Sequence, residues 1–161
     1  MAAEYGYVDE QTIAFGSSAV LNDFTPCNTG LVVHENGSPI LILRGTGNII
    51  QYSCCPCCQK EYVQYRVTAN GNIAIPDGGT VAPISVAFTL NGIAILASQI
   101  IVTPAAAGDF SPFSIDKLVS VPIGTSPSFA VTNILPGLET TETGQAITMR
   151  NLNVIVDQAN N

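Results

Sequence analysis

The sequence has no tryptophan, only one histidine, and only five Lys and Arg residues in 161. Each scarcity narrows the field. Nucleic-acid binding needs a basic footprint, and the formal net charge here is −7. The same charge opposes docking on anionic lipid. With tryptophan absent, the side chain that most favours stacking on sugars is missing, so a carbohydrate-binding role ranks low. A single histidine, His34, leaves little for acid–base chemistry. Charged residues are 11% of the chain against about 25% in ordinary soluble domains, while hydrophobic residues reach 47%. A lone monomer needs more charge than that to cover its surface, so part of the surface is expected to lie against sister subunits or a lattice. The N-terminus, Met1 to Glu10, is acidic and lacks the basic start and apolar core of a secretion signal, which predicts a chain made in the cytosol.

What is present points to strands. Gly (14) and Pro (10) punctuate the whole length. From Gly78 to Gly108 there is no charged residue, yet the run does not read as a membrane span. Pro83, Asn91-Gly92 and Pro104 interrupt it, and Ile84, Val86, Phe88 and Leu90 alternate with Ser85, Ala87 and Thr89. Strands are predicted over Gln11–Phe15, Leu31–His34, Pro39–Leu43, Glu61–Ala69, Ile73–Pro76, Ile84–Leu90, Ile93–Leu96, Gln99–Thr103, Phe113–Ile123, Phe129–Ile134 and Ala146–Val156. Turns are expected at Asn36-Gly37, Asn70-Gly71 and Asn91-Gly92, and a bulge near Arg150-Asn151. Leu138 to Gln145 reads as a polar solvent loop, and Thr103 to Ser114 as a loop or short helical turn. The fold class that follows is an all-β jelly-roll sandwich of about nine to ten antiparallel strands. It forms one compact domain over 24–161, preceded by a docking segment at 1–23.

Candidate chemistry is sparse. Cys54, Cys55, Cys57 and Cys58 cluster within five residues, and Cys27 stands alone. Three readings stay open: thiolate ligands for a metal, disulfides within or between subunits, or a plain reduced loop. His34 with Cys27 or Cys58 could form a nucleophile pair, but no motif supplies an orienting group or an oxyanion pocket. Asp23, Glu35, Asp77, Asp109, Glu139 and Glu142 fall on apparent turns, where solvation is the default. Asp77 or Asp109 with loop carbonyls could hold calcium. No catalytic residue and no cofactor is expected.

The runs Val63 to Ile73, Ile84 to Ile95, Leu118 to Ile123, Phe129 to Thr132 and Ile147 to Val156 resemble the tumour necrosis factor-like and complement-type globular head superfamily. The similarity is closest to short Cys-containing clostridial and phage-encoded surface proteins, on the Cys-rich run, Asn72 to Val81 and Ile101 to Ala106. The resemblance implies a ten-strand jelly roll that trimerises about a three-fold axis, with Tyr65, Phe88, Phe129 and Met149 as candidates for the axis face. It further implies a non-enzymatic surface protein of a particle, foremost a phage capsid decoration protein at the virion surface. The partners would then be two sister copies and a major capsid or other lattice subunit, reached through the N-terminal segment. A spore or cell-surface coat protein is the alternative, and an adhesive or carbohydrate-binding module the second.

Overall fold

The structure is a computed structural model and describes residues 2–47, 49–52, 60–136 and 144–159. Thirteen strands and one 3-10 turn make up the described chain. They are β1 (Ala3–Tyr7), β2 (Gln11–Ile13), β3 (Asn22–Thr25), β4 (Val32–His34), β5 (Leu41–Leu43), β6 (Ile49–Tyr52) and β7 (Lys60–Ala74). There follow β8 (Ile84–Leu90), β9 (Ile93–Ala94), the turn at Leu96–Ser98, β10 (Ile100–Val102), β11 (Ser111–Pro122), β12 (Ser128–Ile134) and β13 (Ile147–Gln158). Two antiparallel sheets result. The first runs β11-β7-β13-β1-β3, with β2 beside β13 and β6 beside β7. The second runs β10-β8-β12-β5-β4, with β9 beside β8.

The eight principal strands pair as a nested ribbon: β1 with β13, β5 with β12, β7 with β11, and β8 with β10. Pairing of β7 with β13 and β8 with β12 rolls that ribbon into two sheets. This is a jelly roll, the fold class expected from the sequence. The inner faces interdigitate as period-2 alternation dictates. Val63, Tyr65 and Val67 of β7, Phe113, Ile115 and Val119 of β11, and Val86, Phe88, Phe129 and Val131 of the second sheet all enter one core. Phe88 and Phe129 meet with ring centroids 4.8 Å apart. The Tyr65 hydroxyl crosses between the layers and donates to the carbonyls of Leu31 and Arg44.

Several boundaries differ from the sequence reading. No turn forms at Asn70-Gly71; β7 runs straight through it. Glycine is needed there for space, because a Cβ would stand 3.0 Å from the Phe113 ring and 3.3 Å from the Leu152 Cα. The irregularity falls on the facing strand. Arg150 pairs with Asn72 and Asn153 with Asn70, so Asn151 and Leu152 together oppose Gly71. Asn151 takes a left-handed φ of 53° and donates its N–H to the Val8 carbonyl. This is the bulge expected near Arg150-Asn151. At Asn91-Gly92 both residues have positive φ, as a tight hairpin requires.

Residues 1–23, expected as a docking segment ahead of the jelly roll, contribute β1 and β2 to the first sheet. Ala3, Tyr5, Ala19 and Leu21 are fully buried, so the jelly roll begins at Ala3 and residue 23 marks no structural boundary. Short mixed strands such as β1 and β3 lack a long alternation, so their own residues do not mark them as strands.

β11 is an edge strand. Ile123 continues its register and donates to the Glu61 carbonyl, so odd-numbered N–H groups face β7 and even-numbered ones face outward. Pro112 and Pro122 both fall on the outward set, where a missing N–H breaks no ladder bond. Lys117 has the parity of the core residues, yet it lies at the open rim.

Removal of residues 1–13 is expected to unfold the chain instead of releasing an intact jelly roll, because it strips two strands from β13. Loss of the cooperative thermal transition in circular dichroism checks this; a truncated chain that melts like the full one refutes it.

Candidate functional site

The four side chains proposed for a trimer axis do not reach any outer surface. Tyr65, Phe88, Phe129 and Met149 are among the largest fully buried side chains, all turned between the two sheets. The reason is parity. In each strand these residues belong to the alternating set that fills the sandwich, and the other set faces out. Surfaces for contact with other molecules must therefore be sought among Gln64, Arg66, Thr68, Leu118 and their neighbours. Cys54, Cys55, Cys57 and Cys58 lie outside the described residues. Among the described residues no three His, Cys, Asp or Glu side chains gather to hold a metal ion, and no helix is long and apolar enough to cross a membrane.

His34 is built into a clamp. Its side chain is 1% exposed, its Nδ1 faces the Asp23 carboxylate, and its Nε2 donates to the Ser38 carbonyl at 2.9 Å. Tyr5 meets the ring edge-on at 5.1 Å. Asp23 belongs to β3 of the first sheet and His34 to β4 of the second, so the pair ties two sheet edges together. Asn36 steadies the same corner by accepting the Asp23 N–H at 2.9 Å. With both ring nitrogens engaged, His34 is not free to serve a cysteine as base, and the nucleophile pair with Cys27 does not form.

Cys27 lies beside this clamp in a turn. Burial pushes its thiol up, but the Thr29 hydroxyl at 3.0 Å and the N–H groups of Thr29, Leu31 and Val32 outweigh burial and hold the pKa below the ordinary cysteine value. The phenols behave oppositely. Burial, with the Asp23 and Cys27 charges adding to it, pushes Tyr5 up to about 12. Burial first, then the Cys27 charge, pushes Tyr65 up to about 12.

Charge is partitioned between the layers. The strands of the second sheet, β4, β5, β8, β9, β10 and β12, contain no Asp, Glu, Lys or Arg. The first sheet holds Glu4, Asp23, Lys60, Glu61, Arg66, Asp116, Lys117, Arg150 and Asp157. On its face Arg66 of β7 and Asp116 of β11 pair diagonally, since Arg66 stands opposite Leu118 and Asp116 opposite Thr68. Where the β10 and β11 edges come together, Ile93, Leu96, Ile101 and Leu118 are each more than half exposed. A groove of about 690 Å³, lined by Arg66, Ile95, Ala97, Asp116, Lys117 and Leu118, runs between them. The opposite flank, where β3 and β4 end the sheets, exposes Phe24, Val33 and Ile40. Sequence pattern alone could not separate these residues from the core set, because aliphatic residues occupy both.

No protein-family model matches the sequence, and no curated protein matches it. Among solved structures the chain is similar to the CBM22-1 xylan-binding domain of Xyn10C from Paenibacillus barcinonensis. Identity is 14% over 98% of this chain and 94% of that one, with a TM-score of 0.36. A likeness of that degree transfers no ligand.

Two outcomes follow from the geometry. Phe88→Ala is expected to cost about 3–5 kcal/mol in chemical denaturation while leaving the oligomeric state unchanged; an altered oligomer at preserved stability would contradict its core position. For the phenols, the unfolded chain ionises near 10 and the folded chain near 12. Stability from keeping them neutral is thus complete below pH 10 and is lost as pH rises toward 12. Thermal melts across that window, read beside tyrosinate absorbance, should show unfolding and ionisation together.

Proposed function

We propose that the chain is a non-enzymatic structural subunit of the tumour necrosis factor-like kind, assembling as a homotrimer on the outside of a larger particle, foremost as a phage capsid decoration protein. One observation carries the reading: a chain poor in charge presents exposed apolar side chains on two opposite flanks of its sandwich. A three-fold ring is built from heterologous contacts, so each copy must offer two different patches that fit each other. The β10–β11 flank, with Ile93, Leu96, Ile101 and Leu118, supplies one. The β3–β4 flank, with Phe24, Val33 and Ile40, supplies the other. Burying large apolar side chains at such a contact is what stabilises association. The jelly roll itself is the fold that the family resemblance implies.

The lattice contact is assigned to loops of the N-terminal region. β1 and β2 are committed to the sheet, but Val8 and Phe15 stand exposed beside them, at 63% and 45%. These two side chains can meet a capsid subunit without any strand leaving its place. A spore or cell-surface coat protein would use the same flanks, and nothing in the geometry prefers it.

Mass photometry of the purified chain at micromolar concentration is expected to give a trimer. The double variant Ile93→Glu, Ile101→Glu is expected to give a folded monomer, since it places a charge on each of two side chains of the β10–β11 flank. A wild-type chain that is monomeric under these conditions sinks the trimer. Failure of an intact trimer to sediment with capsids sinks the decoration role alone.

A further inference from the structure

A polar pocket is built into the outer face of the first sheet, away from both flanks. Thr148 of β13 pairs with Thr12 of β2 on one side and with Ala74 of β7 on the other. Three small side chains in one cross-strand row leave a depression, since bulkier neighbours surround them. Its walls come from Glu10, from Pro76-Asp77 just after β7, and from Gly108 and Phe110 in the loop before β11. Together they enclose about 260 Å³.

The walls are fixed by specific contacts. The Gly108 N–H donates to the Ile75 carbonyl at 2.8 Å, which pins the loop against the end of β7. Gly108 has a left-handed φ of 82°, and Asp77 Oδ1 lies 2.7 Å from where a Cβ would stand. Only glycine lets that carboxylate settle there. Phe110 carries the Arg150 guanidinium 3.8 Å from its ring centroid, which holds the ring in place. Thr148 is 5% exposed and lines the pocket from its floor.

The chemistry of the lining selects the ligand. Glu10 and Asp77 are acceptors and call for a partner rich in hydroxyl donors. Thr12 and Thr148 can both donate and accept. Phe110, Pro76 and Ala74 offer apolar surface to the C–H face of a ring. Glu10 and Asp77 are the only acids in the lining, and among the described residues no third His, Cys, Asp or Glu joins them to hold a metal ion. The volume lies just under the range for drug-sized ligands, about 300–1,000 Å³. We propose that this pocket binds a single hexose-type sugar residue, held by Glu10, Asp77, Thr12 and Thr148 against Phe110. Binding here is independent of trimer formation and adds a glycan contact to a structural subunit.

Proton–nitrogen correlation spectra of the full chain, titrated with the methyl glycosides of glucose, galactose, mannose and N-acetylglucosamine, test this. At least one glycoside is expected to give saturable shifts confined to residues 10–12, 74–77, 108–110 and 148. Asp77→Asn is expected to weaken that binding about tenfold or more, and Thr148→Val, which keeps the side-chain volume, about fivefold. The proposal is overturned if no glycoside saturates, if the shifts map elsewhere, or if both variants bind like the wild type. It is equally overturned if calcium chloride or methylammonium chloride alone shifts these residues and the sugars do not.

Discussion

The whole fold depends on where its last strand lies. β13 is inserted between β1 and β7, so residues from the two ends of the chain are hydrogen-bonded neighbours: Ala3 faces Val156 and Tyr5 faces Val154. Until that strand arrives, β1 has no partner on that side and the first sheet is split. The nested pairings of β5 with β12 and β7 with β11 likewise join segments far apart in sequence. Closing such long loops costs entropy before any contact rewards it, and topologies of this kind fold slowly. The compensation is a core in which both layers are locked at once, with the Tyr65 hydroxyl and the His34–Asp23 pair tying one layer to the other.

The sequence carried the architecture where alternation was long and unbroken. β8, β11 and β12 were legible because each alternates apolar and small or polar residues over seven or more positions, β13 because two alternating halves flank the slip at Arg150-Asn151, and β5 because it closes the Asn36-Gly37 hairpin. β1 and β3 were not, since Ala3-Glu4-Tyr5-Gly6-Tyr7 and Asn22-Asp23-Phe24-Thr25 are short and mixed. Their strand state is imposed by the neighbours they pair with, not by their own propensity. Asn70-Gly71 shows the reverse error. A dipeptide that usually turns a chain is here kept extended, because the facing strand needs a glycine to lie against.

The candidate sites were less legible, for a related reason. Parity says that Phe88 and Met149 face one side of their sheets; it cannot say whether that side is the core or another molecule. Only the pairing of the two layers decides it. The polar pocket was beyond reach for the same cause. Thr12, Asp77, Phe110 and Thr148 are scattered along the chain, and cross-strand register alone makes Thr12, Ala74 and Thr148 a single row. The charge partition is the exception. Once strands are assigned to layers, the chain divides into an uncharged sheet and a charged one without further information.

Pro112, Lys117 and Pro122 give the β11 rim a further property. A twelve-residue edge strand in a chain so rich in aliphatic residues would ordinarily template further strands and seed fibres. Here the two prolines withhold a donor at each end, and the lysine places a charge at the rim where an incoming strand would have to lie. An incoming strand therefore cannot pair along the full length of this rim, and the edge is blunted where a bare sheet edge would invite aggregation.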